Sequence, residues 1–448
     1  MSAKSLALER PFLLDEAFRD PVYGFIRVSK PERRIIDRPE VQRLRRIHQL
    51  GPGYFVYHGA EHSRFGHSLG TLEITTRLFE VIHRKRPGAL GAKSNIARNW
   101  QLVRLAALLH DVGHPPFSHA TEEIMPRDET GRPCEHEDYT CAVIRSPEMA
   151  KEIEEQFGGV GITADMVANL IEAPGGLGRE GVLLHQLISS QMDADRMDFL
   201  ARDCLYAGVL YGRYDVDRLL DTVTVAKWEQ SPWRLAVETG GLFALEAFLL
   251  ARYYMYIQVY LHDVRRFYDI ALTRFLKGFL PDGVYSAPER LSEYLGFDDL
   301  VVLQEARKRA TENDYWGDVF CNRNHWKTVE GTEPHPRAGR ALAWARAQRE
   351  LEEQFGDAVI FDDASGQPYQ RLQLGPYSLH AAEKEGKFPI LVVEEDRESG
   401  VPVEDRSTMV ENLHSQEIIL MRLYARPDKM GEVQRAWKAL LAGAGGAQ

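Results

Sequence analysis

The stretch LVRLAALLHDVGHPPFSH, residues 102–119, decides the fold class. Its first eight residues are nearly all apolar, which predicts a helix that is buried on most sides. Pro115 and Pro116 end that helix shortly after His110 and Asp111. Neighbouring residues on a regular helix point about 100° apart, so this pair can share one cation only near a helix end. An aspartate in such surroundings is costly to bury unless it is paired or binds a metal.

Two other stretches each carry one further residue that can bind the same cation. His67 ends the segment HSRFGH, and Asp195 lies in the segment DADRMD. Two imidazoles and two carboxylates form a four-ligand shell that leaves positions open for water and substrate, as a catalytic metal requires. A lone His-Asp dipeptide has a plainer reading, a helix end with a solvated carboxylate. The full set predicts a divalent cation, either manganese, magnesium, iron, zinc or nickel, held by His67, His110, Asp111 and Asp195.

A second group of histidines follows the first. His114 comes four residues after His110, His119 follows the two prolines, and His136 lies between two glutamates. Glu122 lies one short turn after His119, and a histidine with a carboxylate partner suits proton transfer near neutral pH. Each of these histidines alone would be interpreted as structural. Together, so close to the metal motif, they predict a functional cluster.

The segment from Asp193 to Asp203 presents two useful helical faces. Asp195, Asp198 and Arg202 share one face by three- and four-residue spacing. The adjoining face carries Arg196, Phe199 and Asp203, so one side can hold the metal while the other meets substrate. The alternative is a helix with solvated ion pairs, and Asp198 with Arg202 fits such a pair.

Further candidates for substrate contact are an arginine before the metal motif and an arginine–tyrosine row. Arg64 lies three residues before His67 and can reach a metal-bound phosphate. Arg252, Tyr256 and Tyr260 recur every four residues and suit a phosphate with a sugar or base. A tyrosine-rich core helix explains the row equally well.

The chain has 448 residues, which is long for one domain. Apolar periodicity predicts a mostly helical first part. Helices are expected over 39–50, 68–85, 101–112, 182–210, 241–275, 338–353 and 428–441, and strands over 358–361, 388–393 and 418–425. We therefore predict a mostly α fold with two parts, a helical core over residues 1–335 and a small mixed α/β C-terminal lobe over 336–448.

Charge and composition exclude several classes of protein. The formal net charge of −11 argues against an electrostatic nucleic-acid binder. The four cysteines form no C-x-x-C pair, so reduced thiols are favoured over a disulfide framework or a zinc knuckle. Neither a membrane-spanning run nor the apolar segment of a signal peptide is present, and we expect a cytoplasmic protein that does not enter a membrane.

Several segments resemble the deoxynucleoside triphosphate (dNTP) triphosphohydrolase branch of the HD-domain superfamily. The resemblance covers roughly residues 15–335 and includes the catalytic core of the human member that carries SAM and HD domains. The segments that carry it are 20–24, 42–51, 59–70, 110–119 and 195–204. It implies an HD-domain helical core and hydrolysis of a dNTP to the deoxynucleoside and inorganic triphosphate.

The resemblance also implies roles for individual residues. The metal ligands are the four named above, and the catalytic residues are His114, His119, Glu122 and His136. The acid for the leaving 5′-oxygen is His119 supported by Glu122. Phosphate contacts match Arg64, Arg196 and Arg252. The residues around the deoxyribose match Gln49, Leu50, Asp203 and Tyr260, and Phe199 and Tyr256 are further substrate-binding positions.

This sequence departs from the human member at some of these positions. Arg196 and Phe199 stand where that enzyme has Lys and Tyr, and Tyr256 and Leu261 stand where it has His and Gln. A further set resembles the residues that bind an activating nucleotide, GTP or a dNTP, although Glu16 replaces a basic residue there. That set is Asp37, Gln42, Arg45, Arg323 and Lys327.

We therefore expect a metal-dependent dNTP triphosphohydrolase that forms homo-oligomers and responds to a nucleotide activator. Two other functions stay open from the sequence. One is an HD-domain nucleoside monophosphatase or phosphodiesterase, although three arginines exceed what a monophosphate needs. The other is a non-enzymatic nucleotide sensor on the same fold, although every expected ligand is present.

Overall fold

Helices dominate the chain, as the apolar periodicity predicts. The computed structural model describes residues 8–172, 178–229, 231–335, 338–363, 389–415, 418 and 420–444. The helices of the first 335 residues are α1 Lys30–Ile36, α2 Pro39–Arg43, α3 Arg64–Lys85, α4 Ile96–Leu109, α5 His136–Ile144, α6 Pro147–Phe157, α7 Ala164–Glu172, α8 Gly178–Gln186, α9 Ala194–Ala207, α10 Val216–Thr222, α11 Leu242–Met255, α12 Asp263–Phe279, α13 Leu291–Leu295, α14 Asp299–Thr311 and α15 Tyr315–Cys321.

Three of these helices form the centre of the core. Helix α3 packs against both α4 and α9. The apolar residues of α4 are buried on nearly every side, as the sequence predicts for this stretch. Gly70 allows α3 to approach α9, because a Cβ at this position would lie 1.8 Å from the Asp198 carboxylate. The ends of these three helices therefore meet at one place.

Three of the predicted long helices are wrong in their extent. The stretch 39–50 is helical only through Arg43 and a following 3-10 turn, Leu44–Arg46. The stretch 182–210 breaks between α8 and α9, because Asp193 caps a new helix by accepting a hydrogen bond from the backbone N–H of Arg196. The stretch 241–275 is interrupted by a π-helical turn, Tyr256–Tyr260.

Small sheets complete the first part of the chain. Strands β1 Glu16–Asp20 and β2 Gly24–Val28 form an antiparallel hairpin. Strands β3 Val223–Ala226 and β4 Arg234–Glu238 pair antiparallel beside α3. The later strands are β5 Lys327–Gly331, β6 Val359–Asp363, β7 Leu391–Val393, β8 Val401–Pro402 and β9 Met421–Ala425.

The C-terminal part is mixed α/β, as predicted. Its helices are α16 Ala338–Phe355, α17 Thr408–Ser415 and α18 Met430–Ala444. Strand β9 lies between β5 and β6, and α16 packs against α18. Strand β7 instead runs parallel to β4 and joins its sheet. The division at residue 335 stays a prediction. Phe388 and Ile419, which belong to two of the predicted strands, lie outside the described residues.

Two further expectations concern the cysteines and the membrane. All four cysteines are free thiols, as expected for reduced side chains. In the part of the chain that the structure describes, no helix has both the length and the apolar character needed to cross a membrane.

Candidate active site and metal centre

The four predicted metal ligands converge at the meeting point of three helices. His67 lies in the first turn of α3, His110 and Asp111 directly follow α4, and Asp195 lies in the first turn of α9. His67 Nε2 is 3.0 Å from Asp195 Oδ1 and 3.4 Å from Asp111 Oδ2. His110 Nε2 is 3.4 Å from Asp111 Oδ1 and 3.7 Å from Asp195 Oδ1. The break before α9 brings Asp195 into this group.

The two imidazole rings are oriented by their other nitrogen atoms. His67 Nδ1 is 2.8 Å from Asp198 Oδ2, and His110 Nδ1 is 2.8 Å from the carbonyl oxygen of Ala107. Both partners are acceptors, so each Nδ1 carries a hydrogen, and each Nε2 is the nitrogen that offers a lone pair once it carries no proton. Neither buried Nε2 atom has a hydrogen-bond partner among the described residues. Two lone pairs and two carboxylates therefore fit a divalent cation.

A buried ion-pair chain fixes the position of His67. Asp198 accepts two hydrogen bonds from Arg202, each 2.9 Å long. Arg202 also donates to Asp20 Oδ2 at 2.9 Å, which ties α9 to the end of β1. His67, Asp198 and Arg202 are at most 1% exposed. The predicted Asp198–Arg202 pair is thus confirmed, and it supports the predicted ligand His67 rather than lying in solvent.

The charges of the ligands depend on one another. Burial raises the pKa of Asp111, but Arg64 overcomes that effect and holds the pKa well below its usual range. Burial also opposes a charge on His67, yet Asp195 and Asp198 raise the pKa of His67 to about 10. A cation that binds here must therefore displace a proton from His67.

The turn after α4 is held from several sides. The carbonyl oxygens of His110, Gly113 and His114 accept hydrogen bonds from Thr140 at 3.0 Å, Tyr294 at 2.6 Å and Arg43 at 2.8 Å, respectively. These bonds tie the turn to α5, α13 and α2.

The backbone of this turn is strained just before His119. Phe117 and Ser118 both have left-handed φ values, 59° and 57°. The Phe117 N–H donates to Asp299 Oδ1 at 2.6 Å, and Asp299 Oδ2 lies 2.6 Å from His48 Nδ1. A Cβ at Gly51 would lie 2.7 Å from the Phe117 carbonyl oxygen, so a glycine is needed for this close approach. The strain is retained because these contacts over-determine the turn.

The second histidine group forms one cluster beside the metal ligands. The His114 and His136 rings stack with centroids 3.8 Å apart, and the His119 ring stands edge-on to both. Glu122 bridges two of them, with Oε2 2.9 Å from His119 Nδ1 and Oε1 2.7 Å from His136 Nδ1. Glu122 therefore orients both rings through their Nδ1 atoms.

The histidines of this cluster differ in charge. Burial and nearby Arg64 lower the pKa of His114 well below its usual value, so this ring is neutral. Burial also disfavours a charge on His136, but Glu137 and Glu122 raise the pKa of His136 to about 10. Despite burial, His119 and His136 hold the pKa of the Glu122 carboxyl well below its usual range. The cluster therefore pairs a neutral imidazole with a cationic one.

One cavity of about 360 Å³ joins the metal ligands, the histidine cluster and the predicted substrate residues. Two of the predicted metal and substrate residues do not line this cavity. They are His67, which lies behind the other ligands, and Arg252. Arg252 is 2% exposed, donates to Gln191 at 3.0 Å and lies beside the Tyr256 ring. The predicted site residues that line the cavity are Gln49, Leu50, Arg64, His110, Asp111, His114, His119, Glu122, His136, Asp195, Arg196, Phe199, Asp203, Tyr256 and Tyr260.

Asp203 and Tyr260 form a polar pair away from the metal ligands. The Tyr260 hydroxyl donates to Asp203 Oδ2 at 2.8 Å, and His62 Nε2 lies 2.7 Å from Asp203 Oδ1. The Tyr260 ring contacts the rings of both Tyr256 and Phe199. The π-helical turn at residues 256–260 presents the two tyrosines to the cavity together.

Several residues at the site are absent from the sequence-based candidates. Asp299, Arg43, Tyr294 and Thr140 hold the strained turn, and His62 contacts Asp203. Their partners are distant in sequence, so no local pattern identifies them. Other lining residues were also missed, namely Glu135, Glu137, Ile171, His185, Ile188, Ser189, Arg265, Arg266 and Asp269.

The five predicted activator-binding residues lie in two places. Arg45 donates to Gln42 at 2.8 Å, and Asp37 pairs with Arg33. Arg323 donates to the Phe55 carbonyl oxygen at 3.2 Å, and Lys327 Nζ is 3.3 Å from His325 Nε2. Their role stays a prediction.

Comparison with known proteins agrees with this geometry. The HD domain matches residues 64–203, and an HD-associated region matches residues 214–363. The uncharacterized protein YwfO of Bacillus subtilis is 34% identical over 325 residues, which span 69% of this chain and 70% of that protein. A hypothetical protein from Aquifex aeolicus of known crystal structure is 31% identical with a TM-score of 0.74, over 94% of this chain and 99% of that one.

One vertebrate relative is named for its activity. The chicken deoxynucleoside triphosphate triphosphohydrolase SAMHD1 is 30% identical over 280 residues, and the match spans 58% of this chain but 44% of that protein. The HD-domain match covers all four predicted metal ligands, and the relatives extend the likeness over most of the chain. The chain therefore belongs to the HD-domain family of metal-dependent phosphohydrolases.

Proposed function

We propose that this protein hydrolyses dNTPs to the deoxynucleoside and inorganic triphosphate. The observation that carries the proposal is one cavity, which joins a candidate metal site, a histidine–glutamate cluster and the Asp203–Tyr260 pair. The name of the chicken relative supports the same substrate class. Each part of the cavity faces a different part of such a substrate.

His67, His110, Asp111 and Asp195 would hold the metal. When bound, it supplies Lewis acidity, which makes water a better nucleophile and neutralises phosphate charge. The chain itself keeps the two imidazole lone pairs directed at that position through Asp198 and the Ala107 carbonyl.

Cationic side chains hold the triphosphate. Arg64 donates to Ser118 and Asp111, so its guanidinium is fixed next to the metal ligands. Arg196 is fixed on the adjoining face of α9 through Asp193. The charged His136 ring presents Nε2–H to a phosphate oxygen. Positive groups fixed in advance stabilise the charge that develops on the phosphoryl oxygens.

His119 protonates the leaving 5′-oxygen. Its Nδ1 is held by Glu122 at 2.9 Å, so Nε2 is the atom that would donate the proton. Cleavage between the α-phosphorus and the 5′-oxygen releases the three phosphates as one unit. The neutral His114 ring lies 3.2 Å from Asp111 Oδ1 through Nε2 and positions the nucleophile or its phosphate.

Asp203 and Gln49 bind the 3′-hydroxyl, while Leu50 and Tyr260 leave no space for a 2′-hydroxyl. Two acceptors would face the sugar hydroxyl: the Asp203 carboxylate, which is oriented by His62 and Tyr260, and Gln49 Oε1, which is buried with no partner among the described residues. A site that pairs with a sugar hydroxyl in this way rejects analogues that lack it.

Product analysis tests the proposal. The purified protein is incubated with each dNTP, GTP and ATP in Mg²⁺ or Mn²⁺, and products are separated by ion-pair chromatography. Deoxynucleoside plus intact triphosphate, with ribonucleotides untouched, is the expected result. Stepwise release of phosphate would instead favour the monophosphatase or phosphodiesterase, and no turnover would favour the nucleotide sensor.

A further inference from the structure

The cavity extends past the Asp203–Tyr260 pair to a charged group on α12. Arg265, Arg266 and Asp269 line this end together with Leu261. None of the three charged residues has a part in the steps proposed above, and no sequence pattern marked them.

Asp269 is the unusual member of this group. Its side chain is 4% exposed and lines the cavity. Asp269 Oδ2 accepts a hydrogen bond from Arg266 at 3.2 Å. Asp269 Oδ1 is buried and has no hydrogen-bond partner among the described residues. A buried carboxylate oxygen without a donor is costly, so this atom is suited to accept a donor from a ligand.

Arg265 lies between this carboxylate and the predicted sugar site. Its Nε donates to the Leu50 carbonyl oxygen at 3.4 Å, and its Nη1 donates to the Tyr260 carbonyl oxygen. Its Nη2 lies 4.0 Å from Asp269 Oδ2. Arg265 therefore contacts the backbone of Leu50 and Tyr260, the two residues that the proposed function places beside the deoxyribose, and Asp269 lies next to Arg265. A base attached to a sugar at that position would extend toward this pair.

We infer that Asp269 reads the base of the substrate, with Arg265 as the neighbouring donor, and that the preferred base is guanine. This inference rests on the proposed function for the placement of the sugar. Asp269 accepts hydrogen bonds from base N–H groups, and Arg265 Nη2 donates to a base carbonyl oxygen.

Guanine matches this pair of side chains. It carries the O6 acceptor next to the N1–H and N2 amino donors, so an arginine and a carboxylate side by side can both bind it. Adenine and cytosine have no N–H on the ring nitrogen of this edge, and its lone pair would face the carboxylate. Thymine offers one such N–H on a smaller ring.

Two asparagine variants test the inference. Asp269→Asn replaces one carboxylate oxygen with an NH₂ group and removes the negative charge, while Asp362→Asn is a matched control. Asp362 is 6% exposed on β6 and binds the same Arg266 at 2.8 Å, but it does not line the cavity. Asp269→Asn should lower kcat/KM for dGTP about tenfold more than for dATP, because one charged partner of the base is lost. Asp362→Asn should leave the dGTP to dATP ratio of kcat/KM within about twofold of wild type, because no base contact changes.

An equal loss for dGTP and dATP in Asp269→Asn would overturn the inference, because a structural role lowers both alike. If this variant fails to fold, the wild-type protein is compared on dGTP and 1-methyl-dGTP, which lacks the N1–H donor. A loss of about tenfold for the methylated substrate supports the base contact. An unchanged rate contradicts it.

Calorimetric titration with free nucleosides separates this inference from the proposed reaction. Deoxyguanosine should bind more tightly than deoxyadenosine to the wild type, and Asp269→Asn should remove the difference. That result supports the base contact even if the wild type hydrolyses no dNTP, in which case the proposed reaction fails alone. Equal affinities in the wild type would reject the base contact.

Discussion

His67 is held by Asp198, whose Oδ2 lies 2.8 Å from His67 Nδ1 on the side of the ring opposite the metal position. This contact fixes the tautomer that leaves Nε2 free to bind a cation. It also links the metal site to the packing of α3 on α9, because Gly70 of α3 is what lets Asp198 lie so close. Metal affinity and core packing therefore depend on the same carboxylate.

Asp198→Asn should weaken metal binding about 10- to 100-fold, as loss of such a supporting partner does elsewhere. The amide keeps the shape of the carboxylate but holds the ring less firmly and pairs less well with Arg202. Metal content after dialysis and titration of the apoprotein measure the effect. Asp217→Asn is the control, because its carboxylate is 89% exposed. Unchanged affinity in Asp198→Asn would contradict the supporting role.

His119→Ala should lower kcat about 10²- to 10⁴-fold with metal content unchanged, because it removes the acid but none of the metal ligands. Glu122→Gln should lower kcat by a smaller factor, since the His119 ring is still present. Steady-state kinetics together with metal analysis check this. His58→Ala, at an exposed position, is the control and should behave like wild type. Loss of metal in His119→Ala would place this histidine among the ligands instead.

Tyr260→Leu should reduce the preference for dNTPs over ribonucleotides about tenfold. The substitution removes both the ring that fills the space of a 2′-hydroxyl and the hydroxyl that orients Asp203. The ratio of kcat/KM for dGTP and GTP is the measurement. Tyr254→Leu, on the exposed side of α11, is the matched control. A ratio that stays at the wild-type value would exclude Tyr260 from sugar selection.

Glu32→Gln should lower the free energy of unfolding by about 3–5 kcal/mol, because it leaves buried Arg104 without its charged partner. Glu32 accepts from Arg104 Nε at 2.7 Å and Nη2 at 2.9 Å, and both residues are fully buried. Glu80→Gln is the control, since it removes a surface pair worth less than about 1 kcal/mol. Denaturant titrations at neutral pH measure both.

The pH dependence of stability follows from the same pair. Burial raises the pKa of Glu32, but Arg104 outweighs burial and lowers the pKa below its usual value. A carboxyl whose folded pKa is depressed contributes stability above its unfolded pKa of about 4.3, and this stability is lost as pH falls through the folded pKa. The difference between wild type and Glu32→Gln should therefore shrink below about pH 4.3. A difference that grows in acid would contradict this assignment.

Nucleotide activation is tested by comparing dNTP hydrolysis with and without GTP or a second dNTP. If Asp37, Gln42, Arg45, Arg323 and Lys327 bind an activator, added GTP should raise the rate and Arg45→Ala should abolish the increase. Sedimentation of the protein with and without GTP shows whether assembly accompanies it. Identical rates under all conditions would remove the activation hypothesis.

The convergence of the four predicted metal ligands could be expected from the sequence, because these residues stand in short segments with recognisable spacing. His110 and Asp111 follow an apolar helix that proline ends, and Asp195 and Asp198 lie one turn apart. The helix breaks at Asp193 and at Tyr256–Tyr260 could not be predicted from the sequence, because hydrophobic periodicity continues across both. A buried cap and a π turn change the path of the chain without changing its apolar pattern.

The residues that hold the strained turn could not be predicted for a different reason. Asp299, Tyr294 and Arg43 act on the backbone of the segment 113–117, and contacts to a backbone leave no complementary residue type in the sequence. Asp269 could not be predicted from the sequence either. Its significance comes from one buried oxygen without a partner, which only the structure reveals.

The most direct test of the central claim is hydrolysis of dGTP in H₂¹⁸O with mass analysis of both products. Attack of water at the α-phosphorus, with His119 protonating the 5′-oxygen, predicts one ¹⁸O atom in inorganic triphosphate and none in deoxyguanosine. Release of labelled orthophosphate with dGDP or dGMP would contradict the proposed reaction at this site.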